Sequence, residues 1–388
     1  MPRNLIHSDT IADYRGVIAS PGAVLLDGNY IEAVGTPEEI GQPSDVVITQ
    51  INGLLTPSLV NAHAHLDLSG EGIAPEPDSF ISWVEEVVFP IRAKGEVISA
   101  VNRGATLSKV GGSVIVGDIA GTVQAAQCTK KLLPNSVPFV ELFGAGDYQQ
   151  VVIDRLNTIE HAFGLQPHAL YSCGAEVYKA SFESGRQIAT HLSETIEELE
   201  YAEQGTGPLL ELVKKLGVWD DTVEIWNDHP VEAILKIAKG AHFVSAHLNY
   251  IQDKHIELLA NSNMSVAYCP RASAYFGHVN HRWKEMVDAG VNVALGTDSL
   301  LCLDTPDRIS VLDEMRFLYN RENADPTLLF RMATINGAVA LGLDPSLVCL
   351  QKGETAGLLS FEGCQTIESI LQPNVVPAWA CIDSTENG

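Results

Sequence analysis

The 388-residue sequence has few basic residues, no paired-cysteine motif and no long apolar run. Its 24 lysines and arginines are outnumbered by 49 acidic residues, and the net charge is −25. This charge opposes binding to a nucleic acid polymer or to an anionic membrane. No window reaches the roughly 18 uninterrupted apolar residues of a membrane-spanning helix, and no apolar run follows a basic N-terminus. We therefore expect a cytoplasmic enzyme or binding protein whose partner is neither a nucleic acid polymer nor a membrane.

The seven cysteines are scattered along the chain and are never spaced as Cys-x-x-Cys. Neither a disulfide framework nor a thiolate zinc site is therefore expected. Cys173 and Cys269 stand at the ends of predicted strands. They either line a pocket or fill the core as small apolar side chains, which is the commoner role of a free cysteine.

Both ends of the chain consist of short β-like runs broken by turn residues. In the first part, Asp27-Gly28 between two apolar runs predicts a hairpin. The residues after about Ser346 have the same character. We predict that residues 1–55 and 346–388 together form one small β-sandwich domain.

The middle of the chain, residues 56–345, alternates short apolar runs with amphipathic segments of helical length. This pattern is typical of an α/β protein in which crossover helices wrap a parallel sheet. Eight such units favour a TIM-type (β/α)8 barrel as the catalytic domain. The eight predicted strands are Leu59–Ala62, Ser113–Gly117, Pro138–Leu142, Ala169–Tyr171, Gln187–Thr190, Phe243–Ala246, Ser265–Tyr268 and Asn292–Leu295.

In such a barrel the catalytic residues lie at the C-terminal ends of the strands. His63 and His65 follow the first apolar run, and alternate residues of a strand point the same way, so both imidazoles can face one ion. A lone His-x-His pair is weak evidence, but other strand ends add further polar residues. Convergence of histidines and an aspartate on one mouth predicts a metal site. The strand-end residues are Asp118, His168, His191, Glu194, His247, Arg271 and Asp298.

Several of these motifs resemble those of the amidohydrolase superfamily. They are His63-Ala64-His65, His191, His247 and Gly296-Thr297-Asp298-Ser299, in this order. The segments His191-Leu192-Ser193-Glu194 and Cys269-Pro270-Arg271 resemble the cytosine deaminase and chlorohydrolase branch, and the strings at 61–67 and 274–278 resemble 6-aminodeoxyfutalosine deaminases. The resemblance implies a hydrolase that acts on C–N bonds of cyclic amidines. Because relatives are commonly oligomers, it also implies a homodimer.

The resemblance implies that His63, His65, His191 and Asp298 hold one divalent metal ion and that His247 lies beside the bound water. Three imidazoles and one carboxylate suit zinc, with iron or manganese as alternatives. A bound water acidified toward neutral pH becomes the nucleophile. Binuclear relatives use a carboxylated lysine at the end of the fourth strand. Residues 168–172 contain no lysine, which predicts a single metal.

Glu194 is the predicted general acid and base, a role that the resemblance assigns jointly with Asp298. A carboxyl within reach of both the water and a ring nitrogen can move the protons that deamination requires. The alternative is a surface acid in a solvated helix start, where acids are favoured by the helix dipole. We assign Glu197, Glu198 and Glu200 to that solvated helix start.

Four residues are candidates for substrate binding, each with a structural alternative. Trp83 and Arg92 belong to an insertion in which relatives place a lid helix, and Trp83 either stacks on the substrate or packs in the core. His168 either contacts the substrate or makes a structural hydrogen bond. Arg271 either pairs with a substrate carboxylate or orders its own loop.

The sequence thus predicts a mononuclear, metal-dependent deaminase that acts on an aminopurine-like ring and releases ammonia. 6-Aminodeoxyfutalosine is the leading candidate substrate, followed by adenosine, S-adenosylhomocysteine and guanine types. The alternatives within the superfamily are a chlorohydrolase and a cyclic amidohydrolase. The alternative from another class is a metal-free, non-catalytic scaffold, against which the intact ligand positions argue.

Overall fold

The computed structural model describes residues 3–382. Residues 1–2 and 383–388, the outer ends of the predicted terminal domain, lie outside the described residues. The strands are β1 (Arg3–Asp13), β2 (Gly16–Ala19), β3 (Gly22–Asp27), β4 (Tyr30–Gly35), β5 (Val46–Pro57), β6 (Leu59–His65), β7 (Ser113–Ala120), β8 (Val137–Leu142), β9 (Gly164–Pro167), β10 (Ala189–Leu192), β11 (Phe243–His247), β12 (Met264–Tyr268), β13 (Val293–Leu295), β14 (Asp298–Ser299), β15 (Gly353–Glu354), β16 (Gly357–Glu362) and β17 (Ala378–Ile382).

The helices follow the strands of the middle region and are mostly short. In the described part of the chain, none combines the length and apolarity needed to cross a membrane. They are α1 (Pro37–Ile40), α2 (Phe80–Trp83), α3 (Phe89–Ala93), α4 (Val97–Val110), α5 (Val123–Leu132), α6 (Tyr148–Leu156), α7 (Ala175–Glu183), α8 (Ile196–Gln204), α9 (Pro208–Lys215), α10 (Pro230–Ala238), α11 (Asp253–Ala260), α12 (Pro270–Tyr275), α13 (Trp283–Asp288), α14 (Val311–Glu322), α15 (Pro326–Met332) and α16 (Ile335–Ala340).

Strands from both chain ends pair in one sheet, in the order β15-β4-β3-β1-β5-β16-β17, with β2 paired to β1. The predicted hairpin is present, with Asp27 opposite Tyr30 in the antiparallel β3–β4 pair. The C-terminal β16 joins the N-terminal β5, with Ser360 opposite Leu55. The two ends of the chain therefore meet in one β unit. Its arrangement as a sandwich stays a prediction.

The middle strands are parallel and form two sheets that meet at both sides. One has the order β14-β6-β7-β8-β9 and the other β10-β11-β12-β13. A bridge between Leu165 and Ile188 links β9 to the segment before β10, and the Thr297 amide, just after β13, donates to the His63 carbonyl of β6. The result is an α/β fold with a curled parallel sheet, which is consistent with the predicted barrel.

Seven of the eight predicted strands overlap observed ones, but the fourth is displaced. The strand occupies Gly164–Pro167, whereas Ala169–Tyr171 lie in a turn closed by hydrogen bonds from the Ser172 and Cys173 amides to the Ala169 carbonyl. The apolar run Ala169–Tyr171 is buried because the elements that follow it in the chain pack over it. A buried apolar run is therefore not necessarily a strand. The shift places His168 at the first position after the strand, at the C-terminal edge of the parallel sheet.

A helical segment at residues 80–93 follows the first barrel strand, as expected for the insertion. Ser79 and Ser82 form a reciprocal cap at its start, and a π-helical turn at Val84–Val88 separates α2 from α3. Phe80 and Trp83 pack against Phe276, with Trp83 and Phe276 edge to face at 5.1 Å between ring centroids. We call residues 80–93 the lid segment. Its apolar residues cover one side of the cavity described next.

Candidate active site

A cavity of about 400 Å³ opens at the C-terminal ends of the parallel strands. Its floor carries charged and imidazole side chains, and its walls are mostly apolar. This is the arrangement expected for a small-molecule site, in which a few polar groups orient a ligand within an apolar pocket. The polar lining residues are His65, Arg92, Glu141, His168, Tyr171, Ser172, His191, Glu194, His247 and Asp298.

Strand β6 delivers His63 and His65, and Asp298 pairs beside it in β14. The Asp298–Ala64 register places the aspartate between the two histidines, and His65 Nε2 lies 3.5 Å from Asp298 Oδ1. Donor atoms of His63, His65 and Asp298 all lie within 4.8 Å of one another. Three side chains from two neighbouring strands therefore converge on one point.

His191 completes this group from β10. Its Nε2 lies 3.3 Å from His65 Nε2, while its Nδ1 lies 3.2 Å from the His168 carbonyl oxygen. If Nδ1 donates its proton to that carbonyl, Nε2 carries the free lone pair that faces the cluster. A backbone carbonyl that fixes the tautomer in this way is typical of a metal-binding histidine.

The donor set fits a divalent metal ion. His63 Nε2 is buried and makes no hydrogen bond in the described residues, which leaves an acceptor or donor without a partner. Burial, followed by the neighbouring His191 and His65, lowers the pKa of His63 well below its usual value and keeps the ring neutral. Neutral imidazoles and a carboxylate aimed at one point are the ligand types of zinc sites.

Glu194 and His247 lie against the same cluster. His247 Nε2 is 3.6 Å from Glu194 Oε1, and donor atoms of Glu194, His247 and Asp298 lie within 4.8 Å of one another. Burial, with a smaller effect of Asp298, raises the pKa of Glu194 well above its usual value. A carboxyl that holds a proton near neutral pH can act as a general acid.

Three backbone positions at the floor have left-handed conformations that non-glycine residues rarely adopt. Ser193 has φ of 49°, His247 of 74° and Asp298 of 60°. Each lies at or next to a polar residue of the floor, at the end of a parallel strand. Such strain persists only where the surroundings impose it, and it clusters at functional sites.

One assignment at the start of α8 was wrong. Glu198 is fully buried rather than solvated, and its carboxylate accepts a 2.8 Å hydrogen bond from the Glu194 backbone amide. The sequence showed only a run of acids. The tertiary structure turns this one inward, where it fixes the backbone that carries Glu194. Asn249 supports the same residue by donating to its carbonyl at 2.9 Å.

The structure brings three of the four substrate-binding candidates to the cavity wall: Trp83, Arg92 and His168. Trp83 also belongs to the apolar cluster under the lid segment, which is the core packing given as its structural alternative. His168 Nδ1 lies 2.7 Å from Ser172 Oγ, which leaves Nε2 toward the cavity. Arg92 donates to Glu141 at 2.6 Å.

Arg271 is not brought to the cavity, which corrects its assignment as a substrate ligand. Its guanidinium is 5% exposed and donates to Glu314 and to Asp304, each at 2.7 Å. A guanidinium whose N–H groups are occupied in this way has no pair of free donors for a substrate carboxylate. The alternative from the sequence, an arginine that orders its own loop, describes what is observed.

Other polar residues near the strand ends make hydrogen bonds that support the structure. Asp118 is buried, accepts a 3.0 Å hydrogen bond from the Leu66 amide and bonds to Thr129, so it does not line the cavity. His281 lies with Nε2 2.7 Å from the His247 carbonyl oxygen and stacks on Tyr268. His281 therefore supports the strained backbone of His247.

Sequence reasoning missed Glu141, which lies one residue before the end of β8 and lines the cavity. The signal was available, because an acid within the apolar run 137–142 departs from the pattern of a buried strand. It also missed the wall formed by Leu212, Val213 and Leu216 in and after α9. No local sequence pattern identifies that helix as part of the cavity. It lines the cavity only because the chain folds back over the mouth.

Comparison with known proteins agrees with the family resemblance of the sequence motifs. The amidohydrolase family model matches residues 54–384. A 5-methylthioadenosine/S-adenosylhomocysteine deaminase of Moorella thermoacetica is 26% identical, over 97% of this chain and 88% of its own. An aminodeoxyfutalosine deaminase of Deinococcus radiodurans is 26% identical, over 90% of this chain and 88% of its own.

Among solved structures, the fold is similar to that of Helicobacter pylori aminofutalosine deaminase in complex with methylthio-coformycin. The TM-score is 0.80 at 20% sequence identity, and the alignment covers 96% of this chain and 97% of the other. At this identity the likeness describes the fold. It extends over both the curled parallel sheet and the β unit made from the chain ends.

Proposed function

This chain belongs to the amidohydrolase family, and on that premise we propose that it is a mononuclear, metal-dependent deaminase of an aminopurine-like ring. The observation that carries the proposal is the meeting of Glu194, His247 and Asp298 beside the histidine cluster in one buried cavity. The deaminase names of the relatives support the same reaction class. 6-Aminodeoxyfutalosine is the leading substrate, with adenosine, S-adenosylhomocysteine and guanine types next.

We assign His63, His65, His191 and Asp298 as ligands of one divalent ion. The nitrogen-rich donor set favours zinc, with iron or manganese as alternatives. When bound, such an ion supplies Lewis acid chemistry, which lowers the pKa of water toward neutrality. The proposal of a single ion is supported by the absence of a lysine at residues 168–172.

The residues of the chain move the protons. Hydrolysis joins the oxygen of water to the ring carbon, transfers one proton of the water to the ring nitrogen and sends the other away with the amine as ammonia. Asp298 accepts one proton from water, and the protonated carboxyl of Glu194 donates its proton to the ring nitrogen. When the C–N bond breaks, Asp298 passes its proton to the amine, which leaves as ammonia, and Glu194 takes a proton from the hydroxyl that becomes the carbonyl, so both carboxyl groups return to their starting states. His247 holds the oxygen in place and stabilises the charge that develops on it.

Trp83 and His168 are assigned to substrate positioning, together with the apolar wall. The aromatic face of Trp83 offers a surface for a ring, and Nε2 of His168 offers a polar contact at its edge. Since tight orientation of a bound ring lowers the barrier to attack, their loss should reduce both affinity and rate.

A substrate panel tests the function. The zinc-loaded protein is incubated with 6-aminodeoxyfutalosine, adenosine, S-adenosylhomocysteine and guanine, and released ammonia is measured. Release from one member supports the proposal. Absence of ammonia from every member, with chloride release or ring opening of other substrates instead, would replace it with a chlorohydrolase or cyclic amidohydrolase. A metal content well below one equivalent after reconstitution would favour the scaffold.

We also propose the division into a barrel of residues 56–345 and a terminal domain of residues 1–55 and 346–388, a homodimer, and a cytoplasmic location. The pairing of β5 with β16 supports the terminal domain. Light scattering during gel filtration checks the dimer, and a single protomer mass would contradict it.

A further inference from the structure

Glu141 is a buried carboxylate in the cavity wall that neither the ligand set nor the proton transfers use. Its side chain is 1% exposed, yet it lines the cavity. Oε2 accepts a 2.6 Å hydrogen bond from Arg92 Nη2. Oε1 lies 4.0 Å from His168 Nε2, too far for a hydrogen bond, and accepts none from the described residues. One oxygen is thus anchored, and the other is left for a ligand.

The position of Glu141 sets it apart from Glu194. Donor atoms of Glu141, His168 and His191 lie within 4.8 Å of one another, whereas those of Glu194 group with His247 and Asp298. Along the strand order Glu141 lies near the end of β8, His168 follows β9 and Glu194 follows β10, so His168 separates the two carboxylates at the mouth of the cavity. We take a planar ring to lie above the floor with its reacting edge at Glu194. The opposite end of the substrate then faces Glu141.

The surroundings decide what Glu141 can bind. A carboxylate is an acceptor, so its partner must donate a proton, and hydrogen bonds to charged groups in a buried site are strong. The charge of Arg92 is shared between Glu141 and Asp67, whose Oδ2 lies 3.9 Å away, so two carboxylates already balance it. A second metal ion at Glu141 is disfavoured, since the guanidinium repels a cation there.

We propose that Glu141 is a specificity-determining residue, which accepts a hydrogen bond from a hydroxyl or ring N–H at the end of the substrate away from Glu194, and that Arg92 positions its carboxylate. The inference rests on the proposed function, because it assumes that a ring lies with its reacting edge at Glu194. A site built to bind a donor rejects an analogue that lacks it, because the buried acceptor is then left unpaired.

Binding measurements with deaminated products test this without turnover. Dissociation constants are measured by calorimetry on the zinc-loaded protein for two matched pairs. Inosine against 2′,3′-dideoxyinosine isolates the sugar hydroxyls, and hypoxanthine against 9-methylhypoxanthine isolates the ring N–H. We expect the wild type to prefer the donor-bearing member of one pair by about 10-fold or more.

Variants attribute that preference to Glu141. Glu141→Ala should reduce the ratio to below about 2-fold, and Glu141→Gln, which keeps the size and an acceptor, should give an intermediate ratio. Arg92→Met should also lower it, because the carboxylate loses its anchor. Asp154→Asn, which removes a surface carboxylate on α6, serves as the matched control and should keep the wild-type ratio. Thermal melts confirm that each variant is folded.

The outcomes separate this inference from the function on which it rests. A wild type that prefers neither donor-bearing member, or that binds none of the four ligands, overturns the inference. So does a ratio that survives in Glu141→Ala. If the ratio depends on Glu141 but no aminopurine releases ammonia, the role of Glu141 as donor-binding residue stands and the deaminase proposal falls.

Discussion

His247 Nε2 lies 3.6 Å from Glu194 Oε1, and both side chains are buried at the floor of the cavity. The backbone of each is held by a neighbour outside the ligand set: Glu198 binds the Glu194 amide, and His281 contacts the His247 carbonyl. The two groups proposed to handle protons and developing charge therefore face the same point. The first two predictions separate their roles.

Glu194→Gln should lower kcat by about 10³-fold while metal content stays near one equivalent, because the amide cannot transfer a proton but keeps the shape of the site. Rates of ammonia release and metal analysis of the same preparation check this. Glu197→Gln, three residues along and outside the cavity, is the control and should retain full activity. A near-normal rate in Glu194→Gln would remove this residue from the mechanism.

His247→Asn should lower kcat by about 10²-fold and leave the metal in place, because His247 is assigned to the reacting oxygen rather than to the ion. The structure makes this a sharp test, since donor atoms of His63, His191 and His247 also lie within 4.8 Å of one another. Metal content and kcat are measured together. Loss of the metal in His247→Asn would make His247 a ligand.

Arg271→Met should lower the free energy of unfolding by about 3 kcal/mol, because it leaves the buried Glu314 without its ionic partner. The KM of the folded fraction should stay within about 2-fold of wild type. Urea denaturation and kinetics at low temperature check the two parts. The double variant Arg271→Met with Glu314→Met should recover much of the stability. A selective rise in KM without loss of stability would return Arg271 to the substrate site.

We predict that protonation linked to His229 lowers the free energy of unfolding in acid. Burial and the adjacent His255 lower the pKa of His229 to about 4, whereas the unfolded chain takes up this proton near pH 6.5. The unfolded state therefore binds more protons between these values, and the free energy of unfolding falls as the pH drops through them. His229→Asn, which can still accept from the Val231 amide, should remove about 2 kcal/mol of this loss. Parallel pH curves for the two proteins would contradict the prediction.

The order of polar residues along the chain was sufficient to predict much of the site. His63 and His65 alternate in one strand, and His191, His247 and Asp298 follow apolar runs, so parallel strands bring them to the same edge of the curled sheet. These side chains lie close together because strand direction fixes the edge at which each residue emerges. The same rule could have found Glu141, which lies one position inside a strand end.

The sequence by itself determined the α/β fold class, the union of the two chain ends in one β unit, and the residue types of the candidate metal site, because periodicity and strand-end position are local properties. Only the tertiary structure decided which charged groups face the cavity. Arg271 and Glu198 turn to buried partners, whereas Glu141 lines the cavity and is held by Arg92. The orientation of each side chain depends on a charged partner that is distant along the chain. A local sequence pattern does not show which partner a buried charged group pairs with.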